Sequence, residues 1–225
     1  MPLFYTTYAF MTGSGFKIAL GLFVLGTLFR VGGFLYSAHR KEKAYFAFYS
    51  PWFATRSMLA HTIPFVSHTT RDNRFTTLAT TIFHLGFILV ALFHSAHVVL
   101  IADALGFSAN AWPMLPERLS HILAWCTAAG LLFLVARRIV NPAVRYITIG
   151  RDHVLNLALL LLLLSGIWAR LQLPGHFPAS VIHISAGNLL IAVAPFSRLA
   201  HLFMLPLTRG YVGSEFGGVR HVEDW

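Results

Sequence analysis

The chain has 225 residues, of which 56% are hydrophobic and 11% are charged, and its mean hydropathy is +0.67. The charged fraction lies far below the ~25% of an ordinary soluble domain, and the apolar residues form long runs instead of alternating. These features exclude a soluble globular protein, a disordered chain and an outer-membrane barrel. The single cysteine, Cys126, excludes an intramolecular disulfide, a CxxC pair and a CxxCH haem attachment.

Five apolar segments are each long enough for a bilayer-spanning helix, which needs about 20 residues. They run from about Phe16 to Tyr36, Phe75 to Leu105, Leu119 to Val140, Val154 to Leu171 and Ser180 to Leu207. The first residues, Met1 to Thr12, lack the basic start and cleavage site of a signal peptide, so the first segment is predicted to be retained. Five spans with their loops use nearly the whole chain. We therefore predict a single all-α membrane domain over residues 1–225.

The segment between the first two spans, at about residues 43–65, is too polar to cross a membrane. It mixes aromatic side chains such as Tyr45, Phe46 and Trp52 with the cations Lys43 and Arg56. This composition predicts an amphipathic segment lying in the membrane interface, with docking against a partner subunit as the alternative. Residues from about 208 to 225 are predicted to form a cytoplasmic C-terminal tail.

The net charge of +9 is distributed unevenly between the loops. Thirteen Lys and Arg residues lie in or beside the first loop, the third loop and the C-terminal end, and three lie on the opposite side near span ends. Since cytoplasmic loops carry the excess of Lys and Arg, we predict a periplasmic N-terminus and a cytoplasmic C-terminus in a bacterial inner membrane. The same topology explains the high net charge better than nucleic-acid binding does.

Five of the twelve histidines lie within the predicted spans: His84, His94 and His97 in the second, and His183 and His201 in the fifth. Ionisable side chains inside a membrane are costly and mark functional sites. The two helices run in opposite directions, so His84 faces His201 on the cytoplasmic side and His94 faces His183 on the outer side. Two imidazoles on opposite sides of a haem iron are its axial ligands. Without thioether cysteines, such haems are b-type.

The spacing within each span tests this pairing. At ~1.5 Å per residue, His84 and His94 are about 15 Å apart, and His183 and His201 about 27 Å. The difference requires tilt or a bend, for which Pro195 is the candidate. His97 is the alternative outer ligand. It reduces the difference between the two separations, but it lies further around the helix from His84. We favour His94 as the outer ligand and leave His97 open as the alternative.

Several other residues have both a functional and a structural interpretation. Gly86 and Gly187 allow close approach of a flat macrocycle, or of a neighbouring helix. The arginines near the span ends are candidates for haem propionates on the inner side, for the outer haem or a quinol headgroup on the outer side, or for interface anchoring. They are Arg74, Arg151 and Arg198 on the inner side, and Arg118 and Arg170 on the outer side.

Two other functional classes remain in view. A cofactor-free structural membrane anchor would use the histidines only for packing. A metal or proton transporter would use them as a relay, but intramembrane carboxylates are nearly absent, since Asp103 and Asp152 lie at span ends.

Three segments resemble the gamma subunit of respiratory nitrate reductase. They are FHLGFILVALFH (Phe83 to His94), RRIVNPAVRYITIGRDHVLNLALLLLL (Arg137 to Leu163) and HISAGNLLIAVAPFSRLAH (His183 to His201). The resemblance implies a dihaem cytochrome b, with His84 and His201 on the inner haem and His94 and His183 on the outer one. It also implies electron transfer from a quinol near the outer haem to cytoplasmic iron–sulfur partners. The chain would then be an electron-transfer subunit of an oxidoreductase complex rather than a complete enzyme.

The departures from that family's pattern favour a related branch. The first loop is longer than in the nitrate reductase subunit, and the C-terminal tail lacks a strongly basic segment. These features are more similar to the cytochrome b subunits of the Hmc, Tmc and Dsr transmembrane redox complexes of sulfate reducers. That resemblance implies a heterodisulfide-reductase-like iron–sulfur partner, with menaquinol or periplasmic multihaem cytochromes c on the outer side. A quinol-oxidising nitrate reductase subunit is the alternative, and the direction of electron flow stays open.

Overall fold

The computed structural model describes residues 2–41 and 47–222. This part of the chain is almost entirely helical and contains no β-strand. In chain order the α-helices are α1 (Pro2–Thr12), α2 (Ser14–Lys41), α3 (Pro51–Thr62), α4 (His68–Asp72), α5 (Arg74–Phe93), α6 (Ser95–Leu105), α7 (Glu117–Val140), α8 (Pro142–Ile147), α9 (Gly150–Arg170), α10 (His176–Val193) and α11 (His201–Gly213). A π-helix, Ser214–Val219, continues α11. The prediction of an all-α protein is confirmed.

Five helical stretches of the described chain are long and apolar enough to cross a membrane. They are Leu3–Lys41, Arg74–Phe93, Glu117–Val140, Gly150–Arg170 and His176–Phe196. The five predicted spans are therefore confirmed. The second predicted span ends earlier than expected as a continuous helix, because the chain breaks at His94 and restarts as the shorter apolar helix α6.

The fifth predicted span is also interrupted. Helix α10 ends at Val193, and two short 3₁₀ turns, Ala194–Phe196 and Arg198–Ala200, precede α11. Pro195, the candidate bend, lies in the first of these turns and cannot donate a backbone hydrogen bond. The helix is therefore not continuous from His183 to His201. For this reason their separation of 18 residues does not place them on one helix face.

The described chain forms two compact parts. The first comprises Met1–Leu20 and Leu78–Ile191. In it α5 and α7 make their closest approach at small residues: a Cβ added at Gly130 would lie 3.0 Å from the Ala79 carbonyl oxygen, and one at Gly86 would overlap Thr127. The hydroxyl of Thr127, which is fully buried, donates to the Leu123 carbonyl at 2.6 Å. Small residues allow such contact between spanning helices without unsatisfied polar groups.

The second compact part comprises Gly21–Thr77 and Ala192–Trp225. Its main contact joins α3 to α11 and the π-helix, where Gly213 meets Ser57 and Gly217 meets Phe53 too closely for a larger residue. The buried hydroxyl of Ser214 accepts from the Ser50 amide at 2.8 Å. Residues 208–219 of the predicted C-terminal tail are thus helical, and they pack against α3.

Helix α3 occupies the described part of the predicted interfacial segment. It buries Ala54, Ser57 and Ala60 and exposes Trp52 and Leu59. Lys43, Tyr45 and Phe46 lie outside the described residues. The location of this segment in the membrane interface stays a prediction.

Replacing Gly86 by Ala tests the packing of α5 on α7. The new methyl group would overlap Thr127, and overpacking of this kind typically costs ~1–3 kcal/mol. We expect a lower melting temperature in detergent, measured by the loss of monodisperse protein on heating. The matched control is Gly21→Ala, because a Cβ there meets no described atom within 4 Å. An equal fall in both variants would contradict this account of the contact.

Candidate functional site

Four of the five histidines of the predicted spans hydrogen-bond a backbone carbonyl through Nδ1. The acceptors are Thr80 for His84 at 2.8 Å, Val90 for His97 at 2.9 Å, Leu162 for His183 at 2.8 Å and Arg198 for His201 at 2.8 Å. A carbonyl can only accept, so Nδ1 carries the proton and Nε2 carries the lone pair. Histidines that bind a metal are oriented in this way by the hydrogen bond of the other nitrogen.

This hydrogen bond alone does not identify a ligand. His61, outside the predicted spans, makes the same bond to the Ser57 carbonyl four residues earlier. The bonds of His97 and His183 are more specific. The bond of His97 reaches the carbonyl seven residues earlier, across the helix break, and the bond of His183 reaches a carbonyl on another helix. These two imidazoles are therefore held by tertiary structure, and their orientation is not a local helix feature.

His97 and His183 face each other within the first compact part. Their ring centres are 5.8 Å apart and their planes differ by 11°. Two imidazoles that bind one metal from opposite sides, each through a nitrogen about 2 Å from it, have ring centres about 6 Å apart. The spacing of the ring centres would therefore allow both imidazoles to hold one haem iron. In the described part of the chain, no three His, Cys, Asp or Glu side chains converge as they would around a bare metal ion.

The break at His94 determines which histidine faces His183. The backbone of His94 is extended (φ −67°, ψ 133°), and its carbonyl accepts from Val98 to begin α6. The carbonyls freed at the end of α5 receive other donors: the indole of Trp112 reaches Leu92 at 3.0 Å, and the Leu115 amide reaches Phe93 at 2.8 Å. Unpaired carbonyls would be costly in a membrane, so the segment from Trp112 to Leu115 stabilises the break.

His94 occupies a different position in this cluster. Its ring meets that of His97 edge to face, with centres 5.3 Å apart. No hydrogen bond from its ring to a carbonyl is found within residues 2–41 and 47–222. Of the two candidates for the outer ligand, His97 thus has both the parallel contact with His183 and a fixed ring orientation.

Helix α9 holds His183 in place. A Cβ added at Gly166 would lie 2.7 Å from Cε1 and Nδ1 of the His183 ring, and the Leu162 carbonyl one turn earlier accepts its Nδ1 proton. Sequence reasoning missed Gly166 and considered Gly86 and Gly187 instead. Gly86 is used for helix packing, and a Cβ at Gly187 would make only an ordinary 3.6 Å contact with Leu162. No sequence signal singled out Gly166, since only the helix contact reveals it.

His84 and His201 belong to different compact parts, and each has its own surroundings. The His84 ring contacts the Phe83 ring edge to face at 5.0 Å. His201 is the first residue of α11, directly after the 3₁₀ turn whose Arg198 carbonyl binds it. The pairing of these two histidines on an inner haem stays a prediction.

Arg170, one of the arginines predicted to lie on the outer side, has a defined partner. Arg170, at the end of α9, forms an ion pair with Glu117 at the start of α7. Nearby on α7, the Ser120 hydroxyl and Nε2 of His121 are buried without a hydrogen-bond partner in the described chain. The roles predicted for Arg74, Arg118, Arg151 and Arg198 stay predictions.

Comparison with known proteins identifies the family of the chain. The family model of the nitrate reductase gamma subunit matches residues 60–181. A protein of Nitratidesulfovibrio vulgaris strain Hildenborough is 31% identical over 216 residues, covering 93% of each chain. The nitrate reductase-like protein NarX of Mycobacterium tuberculosis is 27% identical over 175 residues, which are 63% of this chain and 26% of NarX. From the helical membrane fold and these matches, the chain belongs to the nitrate reductase gamma subunit family.

Proposed function

We propose that this protein is a dihaem b-type cytochrome that carries electrons across the membrane for a redox complex. Proteins of its family bind haem b and are subunits of multi-subunit complexes. The observation that carries the proposal is the parallel pair of His97 and His183, each with Nδ1 bound to a carbonyl. A cofactor-free anchor would have no use for two imidazoles oriented in this way.

We propose that His97 and His183 would hold the outer haem. The ring contact with His183 and the bond to the Val90 carbonyl support His97 over His94, which helix spacing and the family resemblance favoured. For the inner haem we propose His84 and His201, on the strength of the family resemblance and of their Nδ1 hydrogen bonds. Each bound haem would supply a one-electron redox centre, and the protein would set its potential through ligand orientation and burial.

Two haems at different depths would divide the path across the ~30 Å hydrocarbon core. The chain's own residues would hold the imidazoles rigid, so that little reorganisation accompanies electron transfer, and would exclude water from the site. The apolar spans supply that exclusion. The carbonyls of Val90 and Leu162 keep the protons of His97 and His183 on Nδ1.

We infer a cytoplasmic iron–sulfur subunit as the inner partner, and menaquinol or periplasmic c-type cytochrome subunits on the outer side. The Lys and Arg distribution supports an inner-membrane location with the C-terminus in the cytoplasm. The long first loop supports the branch of heterodisulfide-reductase-like partners over a quinol-oxidising subunit of nitrate reductase itself.

Replacing the outer histidines one at a time tests the ligand assignment. Purified wild-type protein should contain about two b haems per chain, and His97→Ala should reduce this to about one. His94→Ala should retain both, as should His153→Ala, an exposed control near the start of α9. The measurement is a reduced-minus-oxidised visible spectrum with a pyridine haemochrome count. Loss of one haem in His94→Ala and retention in His97→Ala would return the outer ligand to His94.

Absence of haem from folded wild-type protein, expressed with adequate haem supply, would contradict the proposal as a whole. The structural anchor would then be the better interpretation.

Gly166→Ala tests how α9 holds His183. The added methyl group would displace the imidazole and lengthen its bond to the Leu162 carbonyl. We expect lost or high-spin outer haem, measured by electron paramagnetic resonance of the oxidised protein and by haem content. Gly187→Ala is the matched control on α10, because its methyl group makes only an ordinary contact. A low-spin spectrum unchanged in Gly166→Ala would overturn this role.

A further inference from the structure

Two adjoining grooves lie at the C-terminal end of α2, within the second compact part and away from the candidate site histidines. The first has a volume of about 300 Å³ and is lined by Tyr36, Ser37, Arg40 and Lys41. The second has a volume of about 200 Å³ and is lined by Phe34, Ser37, Ala38, Lys41 and Tyr211. Ser37 and Lys41 line both, so the two grooves meet along one edge of the helix.

The first groove is lined by two cationic side chains and two hydroxyl groups. Arg40 is held by Tyr36: its Nη1 donates to the tyrosine hydroxyl at 3.1 Å, and its guanidinium lies 5.6 Å from the centre of the tyrosine ring. Lys41 adds a second positive charge and Ser37 a hydroxyl. The described lining of the groove includes no carboxylate. Such a set of donors is complementary to a phosphate group.

The second groove is mainly apolar. Phe34 and Ala38 line it from α2, and Tyr211 lines it from α11. Its composition suits a hydrocarbon chain that enters it from the first groove, past the shared residues Ser37 and Lys41. A soluble anion would make no use of this apolar extension.

The position of the grooves along the chain agrees with a lipid. The first apolar span, Leu3–Lys41, ends at the grooves, and Tyr36, Arg40 and Lys41 form its last turns. Aromatic and basic residues at the end of a span lie at the level of the lipid headgroups. Basic pockets between spanning helices on this side bind anionic headgroups.

We propose that these two grooves together form a binding site for an anionic phospholipid of the phosphatidylglycerol class. The phosphate contacts Arg40, Lys41 and Ser37, and one acyl chain lies against Phe34, Ala38 and Tyr211. The lipid thereby joins the end of α2 to α11. This proposal is independent of the haem assignment, because it involves none of the candidate ligands.

Native mass spectrometry tests the site, with the full chain in detergent and any subunits that copurify. The wild type should retain phosphatidylglycerol more strongly than phosphatidylcholine. The double variant Arg40→Gln and Lys41→Gln should lower phosphatidylglycerol affinity by roughly 10- to 30-fold, as expected for two interfacial cations. The matched control is Lys17→Gln with Arg145→Gln, which removes one exposed lysine and one exposed arginine that do not line the grooves. Unchanged affinity in the first variant, or an equal loss in the control, would overturn the proposal.

A second variant separates a lipid from a soluble phosphate. Ala38→Trp fills the apolar groove without changing the charge, and we expect it to weaken phosphatidylglycerol binding and to leave glycerophosphate unaffected. If glycerophosphate binds as tightly as the lipid, or if Ala38→Trp binds the lipid normally, the site is not a lipid site. Size-exclusion chromatography and far-ultraviolet circular dichroism establish folding. If the double variant does not fold, Ala38→Trp alone decides the result.

Discussion

The need to pair the backbone carbonyls released where a helix ends governs the arrangement of the candidate site. A helix that breaks within hydrocarbon must find other donors for the carbonyls it releases. At the end of α5 the Trp112 indole and the Leu115 amide supply them, and the His97 imidazole is a second donor to the Val90 carbonyl, which also accepts the His94 amide. The break is therefore stable, and it redirects the chain so that His97 meets His183. Without these donors α5 would continue, and His97 would point elsewhere.

Helix α9 is the second determinant of the outer pair. It offers His183 a carbonyl from Leu162 and, one turn later, a glycine where any larger residue would collide with the ring. The restraint on each imidazole thus comes from a different element: the broken helix for His97 and the neighbouring helix for His183. If the two imidazoles hold a haem as proposed, these independent restraints would limit their movement when its iron changes oxidation state, which suits electron transfer.

The second compact part has a different kind of packing. The glycines of α11 and the π-helix bring the C-terminal segment against α3, and Ser214 binds the Ser50 backbone. This module positions Tyr211 beside the end of α2, where the lipid site is proposed. His201 begins the same helix, so the packing that holds α11 also restrains the candidate inner ligand.

Composition and hydropathy alone determined the all-α class, the five spans and the histidines worth considering, because burial in lipid demands long apolar helices and makes each ionisable residue conspicuous. They did not determine which histidine faces His183. That choice depends on a break at His94 whose stability comes from Trp112 and Leu115, about twenty residues away. Nor did they reveal Gly166, since its importance lies in a contact with another helix. Helical periodicity describes a chain only while the helix is continuous, and tertiary hydrogen bonds decide where it stops.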